Sequence, residues 1–321
     1  MISLLCMCVT FFAMNSQAKT YQLRIATHLV EDGSVGQAIN KLGELMKEYG
    51  EGKFNVIVYK NGVLGDERVL TEMTRDASIE VCTGAGTGPG GYVPQMALFE
   101  MPFMAADRDH LVRIFDTLNP DVTELLAPFN LKPMGSVPLG FRVMLNKERP
   151  IYMPEDLVGL KMRAPNPLFA GMFVALGAGA ATVNWNEVYA ALQTGVVDGM
   201  EAPAALIYSM KFQEQASYLS LTNHIVSCHY FIVRKDWYDS LPSDLQAIFD
   251  RAIQEASQYG FEVEKKLEGE AIDKLKAEGV KVNDIKDLNA FQKKCLEFRD
   301  KYVAEKGSAW EALYRKMLDV K

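Results

Sequence analysis

The sequence contains few cysteines and histidines, and it lacks the common catalytic and metal-binding motifs. Of its 321 residues, 5 are cysteine and 4 are histidine. It has no CxxC, HExxH, EF-hand, Walker A or GxSxG sequence, and its histidines lack the short spacing of metal ligands. Three cysteines lie beyond residue 18, so at most one disulfide can form, and a pairing of Cys228 with Cys295 stays open. We therefore expect no catalytic residues, no metal and no cofactor, and we interpret the chain as a non-enzyme.

Runs of lysine and arginine are also absent. The chain has 34 Lys and Arg against 41 Asp and Glu, a formal net charge of −7. Proteins that bind a phosphate backbone carry a basic surface, so we expect no nucleic acid partner. The 49% hydrophobic and 23% charged residues are typical of a globular protein, and the length suggests about two domains.

The first eighteen residues contain no charged side chain and are apolar from Ile2 to Ala13. This run is shorter than the roughly 20 apolar residues of a membrane span, but it has the length of a signal-peptide core. Ser16 and Ala18 supply the small residues that precede a cleavage site, although the usual basic start is missing. We predict cleavage after Ala18 and export to the periplasm; a buried N-terminal strand is the alternative.

Alternating strand and helix patterns predict an α/β fold. Tyr21–Thr27 and Phe54–Tyr59 alternate apolar and polar residues, and Ala38–Tyr49 between them has helical spacing. Asp66 is placed to cap a helix that starts near Glu67. The other predicted elements are strands at Ile79–Thr83, Phe141–Asn146 and Leu160–Arg163, and helices at Leu168–Leu176 and Glu187–Thr194. Such alternation makes parallel sheets the default expectation.

A long helical pattern runs from Pro242 to Leu275, with Ser243-Asp244 as its expected cap and Gly279 as its end. About 30 helical residues span about 45 Å, which is longer than one small lobe. We therefore expect this helix to lie across two lobes. Charged helical sequence continues from Leu288 to Leu318.

A glycine cluster, GAGTGPGG at residues 84–91, contains a GxGxxG pattern after a predicted strand. A dinucleotide site needs a helix to begin at this point, and Pro89 and Pro94 prevent an uninterrupted one. We interpret the cluster as a flexible loop whose backbone can approach a ligand.

Two arginines stand at strand positions. Arg142 lies in GFRVMLN, and Arg163 ends the strand LKMR before Ala164-Pro165-Asn166. A guanidinium held rigidly at the end of a strand can bind a carboxylate through two hydrogen bonds. Spacing alone does not separate this role from an ordinary salt bridge.

The segment around these arginines resembles the solute-binding proteins of the tripartite ATP-independent periplasmic (TRAP) transporters, of the DctP type. It reads PEDLVGLKMRAPNPLFAGMFVALGAGAATVNWNEVYAALQTGVVDGMEAP. Further co-linear matches are YKNGVLGDERVL, ALFEMPFMAADRDH, GFRVMLNKERPI, and YSMKF through TNH.

The resemblance implies a two-lobed, periplasmic-binding-protein-like α/β fold with the ligand cleft between the lobes and a long helix spanning both. We assign residues 1–18 to the signal peptide, 19–140 with 228–268 to lobe I, and 141–227 with 269–321 to lobe II. Such a protein captures a small organic anion, a carboxylate or a sulfonate, with an arginine clamp. It delivers the anion to a TRAP-type membrane permease, and we expect it to be a monomer.

The resemblance also implies which residues bind the ligand. Arg163 is the main carboxylate clamp and Arg142 supports it, while Asn166 adds a hydrogen bond and Trp185 forms a flat wall. The other candidates, which would contact the polar tail of the ligand or the lining, are His28, Glu67 and Tyr208.

Two positions depart from the family pattern. Ala202 replaces the asparagine of the usual D-G-x-E-N-P segment, and Ala85 stands where some members have a carboxylate. The ligand therefore stays open among a sulfonate, a keto acid, an aromatic acid, an aldonate and a uronate. Both changes make the site less polar and, with Trp185, favour a smaller or partly apolar anion.

Two other functions remain possible from the residues. One is a sensor of the same fold that presents its ligand-bound form to a membrane histidine kinase. The other is an α/β enzyme in which the glycine cluster holds a nucleotide.

Overall fold

The computed structural model describes residues 19–321, so the predicted signal peptide and its cleavage site lie outside the described residues. The strands are β1 Tyr21–Ala26, β2 Phe54–Tyr59, β3 Val81–Gly84, β4 Leu131–Asn146, β5 Lys161–Ala164, β6 Gly179–Thr182, β7 Gly199–Pro203, β8 Tyr218–Leu221, β9 Val226–Arg234 and β10 Lys281–Asp284. The α-helices are α1 Ser34–Tyr49, α2 Glu67–Arg75, α3 Arg108–Leu126, α4 Pro167–Leu176, α5 Val188–Gln193, α6 Ala204–Ser209, α7 Lys235–Asp239, α8 Ser243–Ala277, α9 Leu288–Lys306 and α10 Ser308–Asp319.

The strands form one connected sheet in the order β2-β1-β3-β9-β4-β7-β5-β6, and β8 links β4 to β10. The expectation of parallel sheets is only partly correct. β1 is parallel to β2 and β3, and β5 is parallel to β6 and β7. β9 and β4, by contrast, run antiparallel to their neighbours, because the chain returns through the middle of the sheet.

β4 is a single strand of 16 residues that joins two halves of the sheet. Its residues from Leu131 to Phe141 pair with β9, and those from Arg142 to Asn146 pair with β7. We call the half with β1, β2, β3 and β9 the first half, and the half with β5 to β8 and β10 the second half. The two-lobed α/β fold is thus confirmed, whereas the residue boundaries of the lobes remain a prediction.

The long helix α8 contacts both halves. It has 35 residues, and it packs on α1 of the first half and on α6 and β10 of the second. Its N-cap is Pro242, and no side chain caps it, so the predicted cap by Ser243-Asp244 is wrong by one residue. Both of those residues lie inside the first turn instead.

Local sequence explains the start of the helices nearest the cleft. The side chain of Asp66 accepts hydrogen bonds from the amides of Arg68 and Val69, which confirms the predicted cap of α2. Asn166 caps α4 in the same way, and Pro167 occupies the first helical position. These two caps fix the first turns of α2 and α4, together with the residues just before them.

Three apolar clusters fill the space between the sheet and the helices. One lies between the first half, α1 and α8, and a second lies in the second half around Val143, Leu192 and Leu275. The third and largest extends from α3 to α4, α9 and α10 and so reaches both halves. Cys82, Cys228 and Cys295 are buried and free, so no disulfide joins Cys228 to Cys295. None of the helices described in residues 19–321 is long and apolar enough to cross a membrane.

Candidate functional site

A cleft of about 590 Å³, which includes space continuous with solvent, lies where the two halves of the sheet meet. Its apolar walls are Leu29, Leu139, Pro165, Trp185 and Leu206. The polar residues that line it are His28, Asp66, Glu67, Arg68, Thr87, Glu100, Arg142, Arg163, Asn184, Ser227 and His229. The cleft can therefore hold a small ligand that carries several polar groups and one apolar face.

Arg163 is the penultimate residue of β5, and its side chain lines this cleft. Its Nε donates a hydrogen bond to the carbonyl of Val183 at 2.9 Å, and the group lies over the ring of Trp185 at 5.7 Å. Within residues 19–321, Arg163 forms no ion pair with a carboxylate within 4.0 Å. Burial lowers its pKa to about 10, against the opposing effect of the negative charge of Glu201, while Arg142 and Arg68 also lower it. Arg163 is thus a buried cation with free capacity for an anion.

Arg142 differs because the protein itself neutralises it. Its Nε and Nη2 donate to the two carboxylate oxygens of Glu201, and Nη1 donates to the hydroxyl of Ser227 at 3.1 Å. In the register of β4 with β7, Arg142 faces Pro203 and Met144 faces Glu201, so the pair is a diagonal cross-strand contact. Burial opposes the charge of Arg142, but Glu201 outweighs it and the pKa is raised. Arg142 therefore lines the cleft as a cation whose charge Glu201 already balances.

Trp185 and Arg68 close the side of the cleft next to Arg163. The indole packs edge-on against Phe212 at 5.3 Å, and its Nε1 is buried without a hydrogen-bond partner among the described residues. Arg68, from α2 of the first half, donates to the side chain of Asn184 at 2.7 Å and to the carbonyl of Pro165 at 3.1 Å. Arg68 thus ties the first half to the second half across the mouth of the cleft.

One end of the cleft carries two histidines and a carboxylate. The rings of His28 and His229 lie 5.3 Å apart between centroids. Burial lowers the pKa of His28 to about 4 and that of His229 to about 3, so both rings are neutral at pH 7. The ligand-type atoms of His28, Glu67 and His229 lie within 4.8 Å of one another, which makes them the residues described here that could hold a metal ion. The three residues lie far apart in the sequence, so the spacing of metal-ligand residues could not predict this cluster.

Glu100 lies beside this end and is close to neutrality. Burial, and then the negative charge of Glu67, raise its pKa to about 7 against the opposing effect of Arg142. Its carboxylate accepts a long hydrogen bond of 3.4 Å from the side-chain amide of Asn166. At pH 7 this group can therefore either donate or accept a hydrogen bond.

The structure brings together five of the seven sequence-predicted site residues: His28, Glu67, Arg142, Arg163 and Trp185 all line the cleft. Asn166 does not line it, because its carbonyl oxygen caps α4 and its amide nitrogen faces Thr87 and Glu100. Tyr208 lines a different cavity, and the ammonium group of Lys274 lies 5.7 Å from the centre of its ring.

The two positions that depart from the family pattern do not line the cleft either. Ala202 is fully buried in the apolar cluster of the second half, opposite Val143. The amide of Ala85 donates to the carboxylate of Glu67 at 2.7 Å, as does that of Gly88. The glycine cluster is therefore a packed loop that holds Glu67, rather than the flexible loop expected from its sequence.

Sequence reasoning missed several residues that line the cleft: Arg68, Thr87, Glu100, Asn184, Ser227 and His229. Arg68 and Glu100 stand in the GDER and ALFEMPF segments, and both segments carried the resemblance. His229 is a polar residue in β9, a strand of mostly apolar and buried residues. Such a residue is a sequence signal for a functional position.

The chain matches known proteins over nearly all of its length. Residues 25–306 match the sequence model of bacterial extracellular solute-binding protein, family 7. A solute-binding protein of Sulfitobacter sp. (strain NAS-14.1) is 32% identical over 305 residues, which cover 94% of this chain and 92% of the relative.

Two solved structures are similar along their whole length. A TRAP periplasmic solute-binding protein of Chromohalobacter salexigens with bound D-glucuronate has a TM-score of 0.88 and 28% identity, covering 93% of this chain and 100% of that one. The periplasmic ectoine-binding protein of the TeaABC TRAP transporter of Halomonas elongata has a TM-score of 0.87 and 26% identity, covering 92% and 98%.

Proposed function

This chain belongs to family 7 of the bacterial extracellular solute-binding proteins, and we propose that it binds a small hydroxylated organic acid in the cleft between its lobes. It then delivers the acid to the membrane permease of a TRAP transporter. The protein acts in the periplasm as a monomer, after loss of residues 1–18, and it catalyses no reaction.

The observation that carries the proposal is the state of Arg163. A buried charge is costly unless it is paired, and the guanidinium of Arg163 lies in the cleft without a carboxylate partner among residues 19–321. A ligand carboxylate can take two hydrogen bonds from such a group while Val183 holds its Nε in place. Arg142 is already paired with Glu201, so Arg163 is the one of these two arginines that is left to bind the ligand carboxylate.

The rest of the lining supports a ligand with hydroxyl groups. Because His28 and His229 are neutral, their rings offer hydrogen bonds and add no positive charge of their own. Glu67, Glu100 and Asn184 add acceptors that suit hydroxyl donors. The proteins similar to this chain include a glucuronate-bound structure, which agrees with a sugar acid. The polar lining thus argues against the smaller, partly apolar anion that the sequence favoured.

The experiment is a binding screen of the purified protein, unfolded and refolded to remove any co-purified ligand. The panel contains glucuronate, galacturonate, a C4-dicarboxylate, a keto acid, an aromatic acid and a sulfonate. Ligand at 1,000 times its Kd stabilises the native state by about 4 kcal/mol, so a thermal shift detects it. We expect a shift with the hydroxylated acids and little with the others.

Arg163→Ala is the decisive variant, and it should lower the affinity for the acid at least 100-fold. Arg251→Ala is the matched control, because Arg251 is an exposed arginine of α8 far from the cleft lining. Unchanged affinity in Arg163→Ala would overturn the clamp. A thermal shift with the sulfonate alone would agree with anion binding by Arg163, but it would show that the ligand is not a hydroxylated carboxylic acid.

A further inference from the structure

Three side chains of the kind that bind transition metals converge at the histidine end of the cleft. His28 follows β1, Glu67 begins α2, and His229 lies inside β9, so three separate elements supply them. One ligand-type atom from each lies within 4.8 Å of the other two. All three residues are at least nine-tenths buried, with exposed fractions of 6%, 8% and 6%. Protein packing therefore holds the cluster together.

Both imidazoles have nitrogen atoms available for coordination. Nδ1 of His28 and Nδ1 of His229 are buried and make no hydrogen bond with the residues described. Buried polar atoms without a partner are uncommon in native proteins. An imidazole nitrogen is a common ligand of transition-metal ions. Each ring thus has a buried nitrogen atom for which a cation would be a suitable partner.

The carboxylate of Glu67 is oriented as metal-binding carboxylates generally are. Its Oε1 accepts hydrogen bonds from the amides of Ala85 and Gly88, both at 2.7 Å. Such outer contacts fix a carboxylate and leave its other oxygen for a metal. Within residues 19–321, Glu67 forms no ion pair, and Glu100 nearby adds further negative charge. A cation at this point would neutralise buried charge that the chain itself leaves unpaired.

We propose that His28, Glu67 and His229 form a binding site for a divalent transition-metal ion of the Zn²⁺ or Ni²⁺ type. Two imidazoles and one carboxylate suit these ions, whereas Ca²⁺ and Mg²⁺ prefer oxygen ligands alone. Three protein ligands leave at least one coordination position directed at the cleft. That an oxygen of the organic acid fills this position rests on the proposed function, but the metal site itself does not.

The test measures metal binding directly, without the organic acid. The protein is treated with a chelator, exchanged into metal-free buffer, and titrated with Zn²⁺ and with Ni²⁺ by calorimetry. We expect one ion per chain with a Kd in the micromolar range or below. His28→Ala and His229→Gln should each raise that Kd at least tenfold. His110→Ala is the matched control, because His110 lies in α3, outside the cleft, and contacts the carbonyl of Val320.

A second measurement guards against variants that fail to fold. Co²⁺ is added to the wild-type protein, and its visible absorption reports a site with nitrogen ligands and a low coordination number. No stoichiometric binding of any of the three ions to the wild type would overturn the metal site. Retained binding in both histidine variants would also overturn it. In either case, binding of the acid in the presence of chelator would support the proposed function without the metal site. The Arg163→Ala variant tests only the proposed function, because Arg163 is not one of the three metal ligands.

Discussion

Two regions of the cleft carry buried charge and treat it differently. In the paired region, formed by Arg142, Glu201 and Ser227, each nitrogen of the guanidinium has a hydrogen-bond partner within the chain. In the unpaired region, formed by Arg163, Trp185 and Glu100, the charged groups have no ion-pair partner among residues 19–321. Removing one partner from the first arrangement would leave a buried charge alone, whereas the second already contains such a charge. Two arginines only 21 positions apart thus differ in how the chain pairs them.

The sharpest test of this comparison is the stability of the ligand-free protein with each arginine removed. Arg142→Ala should lower the free energy of unfolding by about 3–5 kcal/mol, because it leaves Glu201 buried without a partner. Arg163→Ala should not lower it, because the removal of an unpaired buried charge offsets the loss of the hydrogen bond to Val183. Urea unfolding monitored by circular dichroism gives both values. Equal losses in the two variants would remove the distinction between the regions.

The next largest effect concerns Glu100 and pH. Burial, and then Glu67, raise the pKa of Glu100 from 4.5 to about 7, so the folded chain keeps a proton that the unfolded chain releases. The contribution of Glu100 to stability should therefore fall by about 3 kcal/mol as pH rises from about 4.5 to 7. Glu100→Gln cannot titrate, so its free energy of unfolding should decline less over this range. Parallel pH profiles for the two proteins would contradict the prediction.

Trp185 should have a smaller effect, which is measured on ligand binding. Trp185→Ala removes the wall of the cleft beside Arg163 and should weaken binding of the acid by about 1–3 kcal/mol through lost burial and ring contact. Trp185→Phe keeps a flat ring and should recover part of the affinity. The measurement is calorimetric titration with the acid found in the screen. An unchanged affinity in the alanine variant would mean that Trp185 does not contact the ligand.

Tyr208 should have the smallest effect. It lies in a separate cavity, so Tyr208→Phe should leave the affinity for the acid within about twofold of the wild type. A loss of tenfold or more would place Tyr208 in the binding site after all and would revise the boundary of the unpaired region. The same titration series answers this point.

Much of the fold could be predicted from local sequence patterns. The alternation of apolar residues in Phe54–Tyr59 and the Asp66 cap have local causes, and the structure confirms both. The antiparallel course of β4 and β9 could not be predicted, because strand direction depends on residues about 90 positions apart. The cap of α8 was misplaced because Ser243 and Asp244 are as suitable inside a first turn as in front of it.

The residues of the site could be predicted only where they stand in a recognisable sequence motif. Arg163 stands at the end of a strand before a proline, which is a local signal, and the structure places it in the cleft. The pairing of Arg142 with Glu201 depends on the register between two strands. The meeting of His28 with His229 depends on three elements that pack together, and no short segment contains that information.

The course of the chain between the two halves restricts how they can move. They are joined at three places: within β4 near Gly140, at residues 222–225 between β8 and β9, and along α8. Gly140 has a φ of 101°, and a side chain there would collide with Glu264 of α8. Because the chain passes between the two halves three times, few relative movements of the halves are open to the protein. A rotation of one half against the other would therefore have to bend the chain at all three connections, and Gly140 lies at one of them.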